Sequence, residues 1–312
     1  MNDRKRWLTE QIDQLRRKKN AVILAHYYQN QEIQDVADFV GDSLDLSRKA
    51  VETSADIIVF AGVHFMAETA KILNPDKKVL LPDLEAGCSL ADSGSTFDYK
   101  IFLELNPDCV SVAYINSPAE IKAQCDYVCT SSNAIKIIQS IPENREIVFL
   151  PDKNLGEYLI QKTGREMTLW DGVCAVHEAF SLTKLMDLVI SFPNAKILAH
   201  PESSTAILRL AHFVGSTSAM LQFVTENESD EFLIGTEAGI LHQMHLAAPH
   251  KTIIPIPTEE DNTCACSECA FMKVNTLEKL YQCLLHETPE ITLDPEIGRK
   301  ALKPIQRMLD LA

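Results

Sequence analysis

The sequence predicts an α/β protein made of three similar αβα units, each with a short parallel four-stranded sheet. Three observations carry this. Apolar runs ending in a polar residue recur as "AVILAH" at His26, "CVSVAY" at Tyr114 and "AKILAH" at His200, spaced 88 and 86 residues apart. A hydroxyl follows each at the same distance of seventeen residues: Ser43 in "FVGDSLD", Ser131 in "YVCTSSN" and Thr217 in "FVGSTSA". Further runs then recur in the same order, "DIIVFAG", "EIVFLPD" and "EFLIGTE", followed by "KKVLLPD", "EMTLWDG" and "KTIIPIP". Self-similarity at a fixed period marks a repeated supersecondary unit. One large doubly wound sheet with strands alike by chance is the alternative, and the constant offset favours three related domains.

The elements follow in chain order. Residues 1–20 read as an N-terminal helix with Trp7, Ile12 and Leu15 on one face. This stretch is charged and lacks an apolar h-region, so it is not a secretory signal, and a cytoplasmic location is expected. The first repeat spans 21–106, the second 107–192 and the third 193–286, with a C-terminal segment over 287–312. Each repeat reads β-α-β-α-β-α-β. The strands are apolar throughout rather than alternating, as strands buried on both faces of a parallel sheet must be. Segments such as "NQEIQDVADFV", "SPAEIKAQCDYV" and "STAILRLAHFV" supply the crossovers that parallel neighbours need.

Composition narrows the function. The 312 residues are 46% apolar and 23% charged, ordinary for a globular protein. No apolar run reaches the roughly 18 residues that span a bilayer, so no membrane role is expected. A net charge of −15 argues against nucleic acid, whose backbone rewards clustered Lys and Arg. Nine cysteines in a chain read as cytosolic point to metal binding or catalysis rather than disulfides. Cys109, Cys125, Cys129 and Cys283 are read as small buried hydrophobes.

Ligands of open parallel α/β sheets sit beyond the carboxyl ends of the strands. His26, Tyr114, His200, Ser43, Ser131 and Thr217 all occupy such ends, and would share one cavity if the units point at a common axis. The same phasing gives one cysteine position per repeat after the fourth strand: Cys88, Cys174 and the triple "CACSEC" of Cys264, Cys266 and Cys269. Thiolates favour zinc or iron–sulfur centres. A three-cysteine set leaves one iron of a cluster open as a Lewis acid. A local zinc site on the triple is the competing view, although no second C-x-x-C or H-x₃₋₅-H pair follows it.

The motifs "ILAHYYQ", "GDSLDLSRKA", "FAGVHFMAETAKIL", "LPDLEAGCSLADS", "YINSPAEIKA", "CTSSNA", "PDKNLG", "AHPES", "GSTSAM", "IGTEAGILHQM" and "CSECAFMKVNTLEKL" stand in order along nearly the whole chain. Together they resemble the quinolinate synthases, iron–sulfur enzymes of de novo NAD biosynthesis. The resemblance implies three αβα domains about a pseudo-three-fold axis. It also implies a [4Fe-4S] cluster on Cys88, Cys174 and Cys269, with Cys264 and Cys266 as spare thiols. Ala270 stands where the family often has proline. The implied reaction condenses iminoaspartate with dihydroxyacetone phosphate, losing phosphate and water as the ring of quinolinate closes. An L-aspartate oxidase or aspartate dehydrogenase supplying the imine is the implied partner. By match, His26, Tyr28, Tyr114, His200 and Glu202 form the acid–base set, with Tyr28 rather than Tyr27 facing inward. Asn116, His177 and Ser216 join Ser43, Ser131 and Thr217 in binding substrate, capping being the ordinary alternative for the hydroxyls. Glu68 and Lys153 are expected to tie domains together or gate the cavity. A non-catalytic iron–sulfur sensor or scaffold and a zinc-stabilised hydrolase are the rival functions.

Overall fold

The computed structural model of the chain describes residues 3–259 and 267–311. The first repeat carries β1 (Ala21–His26), β2 (Phe39–Gly41), β3 (Ile57–Ala61) and β4 (Lys78–Leu80). The second carries β5 (Val110–Tyr114), β6 (Tyr127–Cys129), β7 (Ile147–Leu150) and β8 (Thr168–Leu169). The third carries β9 (Lys196–Ala199), β10 (Phe213–Val214), β11 (Glu231–Gly235) and β12 (Thr252–Pro255). Among the described residues these form three four-stranded sheets, ordered β2-β1-β3-β4, β6-β5-β7-β8 and β10-β9-β11-β12. Every pairing of these strands is parallel. The fold is therefore mixed α/β with three similar αβα units, as the repeats predict.

The central strands are buried past their first residue, and β3, β5 and β7 without a break, which is why their sequences lack alternation. The crossover between the first two strands of each repeat is shorter than the sequence pattern suggests. It holds one helical turn, at Gln31–Gln34, Ala119–Lys122 or Thr205–Leu208. The remaining residues of each crossover are needed to reach the edge strand. The longer helices Ser43–Glu52 and Thr217–Glu226 follow the edge strands directly, capped by Asp42 and Ser216.

Side chains join each repeat to both others. Ser132 Oγ donates to Asp42 Oδ2 at 2.8 Å, linking the second repeat to the first. Ser218 Oγ donates to Asp45 Oδ2 at 2.6 Å, linking the third to the first. Thr205 Oγ1 donates to Glu157 Oε2 at 3.0 Å, linking the third to the second. The C-terminal helix Pro295–Asp310 packs on both the first and second repeats, and Met308 O accepts from Asn133 Nδ2 at 2.8 Å.

Three expectations need adjustment here. In the N-terminal helix Asp3–Lys18, Leu8 and Ile12 form the buried face. Trp7 is 46% exposed and lies edge-on to Tyr281, at 5.3 Å between ring centres. Cys109 is only partly buried, near Glu146, whereas Cys125, Cys129 and Cys283 are buried as read. Lys153 pairs with exposed Asp171 on the surface and neither gates a cavity nor ties domains. Asn154 beside it does bridge, donating to Glu178 Oε2 at 2.8 Å and to Glu202 O at 3.0 Å.

Glu68 does tie repeats, accepting the Ala119 N–H at 3.0 Å. Fully buried Lys122 adds to this joint, donating to Phe65 O at 3.2 Å and Thr69 Oγ1 at 2.9 Å across the boundary. Burial pushes its ammonium down to about 8, against the pull of Glu68. Lys122→Met leaves Thr69 Oγ1 without its donor and buried Glu68 without the nearby ammonium, so a loss of about 1–3 kcal/mol in urea unfolding is expected. Parental stability in that variant would show that the joint contributes nothing.

Candidate active site

In a 2-1-3-4 sheet the chain leaves the first strand in one direction and the third in the other, opening a crevice at their carboxyl ends. His26 and Tyr114 are the last residues of β1 and β5, and His200 follows β9 directly. These crevices meet in one cavity lined by residues of all three repeats. His26, Tyr28, Tyr114, His177, His200 and Glu202 line it, as do Ser43, Asn116, Ser131 and Thr217. Cys88, Cys174 and Cys269 line the same cavity. Ser216 is the exception among the predicted site residues: its hydroxyl caps the helix Thr217–Glu226, accepting from Ala219 N at 3.3 Å. Cys264 and Cys266 lie outside the described residues. Tyr28 faces the cavity, whereas Tyr27 packs into the apolar core of the third repeat.

The two strand-end histidines share one local design. The backbone N–H of Tyr28 donates to His26 Nδ1 at 3.2 Å, and that of Glu202 to His200 Nδ1 at 3.4 Å. Burial pushes both imidazoles down to about 3; Lys273 adds to this at His26, and His177 and His26 add to it at His200. With Nδ1 accepting, each neutral ring carries its hydrogen on Nε2. His200 Nε2 lies 3.2 Å from Ser131 Oγ.

Glu202 is the hub. Tyr114 Oη donates to its Oε1 at 2.5 Å, and His177 Nδ1 lies 3.0 Å from its Oε2. Burial alone would raise this carboxyl, but His200, His177 and the hydrogen bonds outweigh burial and hold it below the usual range. Burial and the Glu202 charge keep the Tyr28 and Tyr114 phenols well above theirs. The site thus gathers a carboxyl held below its usual range, two phenols held above theirs and two imidazoles held below theirs.

The thiols come one from each repeat, on the segments after β4, β8 and β12. They are not in disulfides. Burial pushes Cys88 up to about 12, with Cys269 adding to the rise, and burial followed by Glu202 and Cys88 raises Cys174. Cys269 is raised by burial and by Glu237. Three partly buried thiols on one cavity wall offer a donor set, and thiolate is the donor that soft metal centres select. Cys174 Sγ, His177 Nδ1 and the Glu202 carboxylate also lie within 4.8 Å of one another, close enough to share one ion.

Several residues on this site escape the sequence reading. Asp42 and Thr130 line the cavity beside Ser43 and Ser131. Glu237, fully buried, accepts from Cys269 N at 3.1 Å, Gly239 N at 2.6 Å and Lys273 Nζ at 3.0 Å. Burial pushes it up to about 7 against the pull of Lys273. Buried Thr236 precedes it. Counting from each strand-end residue gives Glu237 its counterparts: Val63, Asp152 and Glu237 follow His26, Tyr114 and His200 by 37, 38 and 37 positions.

The family model described as "Quinolinate synthetase A protein" matches residues 10–310. The chain is 56% identical over 301 residues to the quinolinate synthase of Microcystis aeruginosa, covering 96% of this chain and 94% of that one. It is 56% identical to that of Trichormus variabilis, covering 96% and 92%. Against that of Chloroherpeton thalassium it is 54% identical over 305 residues, covering 98% and 94%. A family match over nearly the whole length, joined to a three-fold set of parallel sheets around one acid–base cavity, makes this chain an enzyme of the quinolinate synthetase A family.

Proposed function

We propose that the chain is a quinolinate synthase of de novo NAD biosynthesis, acting in the cytoplasm on iminoaspartate and dihydroxyacetone phosphate. The observation that carries this reading is one enclosed cavity combining a thiol from each repeat with the Tyr114–Glu202–His177 network. The donor set fits a [4Fe-4S] cluster, which Cys88, Cys174 and Cys269 would hold. When bound, such a cluster with an open iron supplies a Lewis acid for the loss of water. The condensation needs no net redox change.

The chain's own residues supply the rest. Ser43 and Thr217 sit in the first turns of ten-residue helices, where backbone N–H groups and hydroxyls together suit carboxylate or phosphate. Ser131 and Asn116 extend that polar wall through the second repeat. His26 and His200, neutral with hydrogen on Nε2, donate to carbonyl oxygens and favour enol formation. Glu202 removes a proton from carbon, and Tyr114, hydrogen-bonded to it, returns one to oxygen. Burial keeps water away from the imine.

One observation favours a second reading: the Cys174, His177 and Glu202 grouping, which suits a single zinc of a hydrolase. That reading leaves Cys88 and Cys269 on the same wall unused. A sensor or scaffold leaves the whole acid–base set unused. The proposal is tested by giving anaerobically prepared protein both substrates and following quinolinate by mass spectrometry. Product is expected only when both are present. None from iron-loaded protein would remove the assignment.

A further inference from the structure

Thr236 stands directly after β11, fully buried, with its hydroxyl between two side chains of the site. Its Oγ1 lies 2.6 Å from Tyr28 Oη and 2.9 Å from His177 Nε2. His177 Nδ1 in turn lies 3.0 Å from Glu202 Oε2, and Glu202 Oε1 accepts from Tyr114 Oη at 2.5 Å. We infer that Thr236 is a positioning residue, its one hydroxyl holding Tyr28 and His177 in place beside Glu202 and Tyr114. The inference rests on the condensation proposed above.

Thr236 Oγ1 thereby fixes Tyr28 and His177 relative to each other, and His177 Nδ1 also meets Cys174 Sγ at 3.2 Å.

Tyr28 and Glu202 both line the cavity while Thr236 does not, so its hydroxyl sets the pose of site residues from behind the substrate.

A methyl-for-hydroxyl swap isolates this role. Thr236→Val keeps the shape of the side chain but removes the only atom that bonds both neighbours. It is expected to keep iron content and substrate KM near parental, within about threefold, while kcat falls about 100-fold. Thr236→Ser restores the hydroxyl and is expected to return kcat to within about threefold of the parent. Parental kcat in Thr236→Val would overturn the positioning role. So would a Ser variant as slow as the Val variant, since the hydroxyl would then not suffice. A parent enzyme that forms no quinolinate would instead overturn the function on which the inference rests.

Discussion

Cys88→Ala, Cys174→Ala and Cys269→Ala are each expected to yield folded protein that has lost its iron and all measurable turnover. Each of these thiols is on a different repeat and all line one cavity. Removing one leaves two thiols, too few to hold a cluster against dilution in water. The rest of the fold does not depend on them, because each repeat carries its own buried sheet. Cys264→Ala and Cys266→Ala are expected to keep iron and activity, because the family resemblance makes Cys269 the ligand of the trio. Iron analysis and visible absorption of anaerobically purified variants give the answer. Iron retained in Cys269→Ala but lost in Cys264→Ala would move the third ligand.

Glu202→Gln is expected to lower kcat by about 100- to 10,000-fold with iron content unchanged, the loss typical for a general base. The amide fills the same space and still accepts the Tyr114 hydrogen bond through its oxygen. It cannot take a proton, and its NH₂ group would face the His177 Nδ1–H where an acceptor belongs. The base and the His177 contact are lost together. Steady-state rates with both substrates, alongside circular dichroism, separate this from unfolding. A variant turning over at near-parental rate would remove Glu202 from the chemistry.

Much of this architecture is legible in the chain because repetition reports on itself. His26, Tyr114 and His200 announce the strand ends, and the fixed step to Ser43 and Thr217 locates the start of the next helix in the first and third repeats, whereas Ser131 lies in a turn three residues before the helix Ala134–Ser140. Cys88 and Cys174 follow from the same phase. What escapes has physical reasons. Trp7 is apolar, but its place on the helix face turns it toward Tyr281 at the surface rather than into the core. Ser216 and Thr217 are adjacent hydroxyls at a helix start, and only the backbone path decides which caps and which faces the cavity. Lys153 and Asn154 present the same problem one residue apart. Thr236 and Glu237 stand at the end of the third strand of their repeat, where the first repeat has Gly62 and Val63. Apolar packing in one repeat and polar chemistry in another hide the shared position from any search by residue type.

The central claim is that three repeats lend one sulfur each to a single iron–sulfur centre. Counting metals and acid-labile sulfide in the anaerobically purified parent protein tests it most directly. The account predicts about four irons and four sulfides per chain, all lost together when Cys88 is changed to Ala. One zinc or iron per chain without sulfide, kept in Cys88→Ala and lost in His177→Ala, would contradict it and place a lone ion on Cys174, His177 and Glu202 instead.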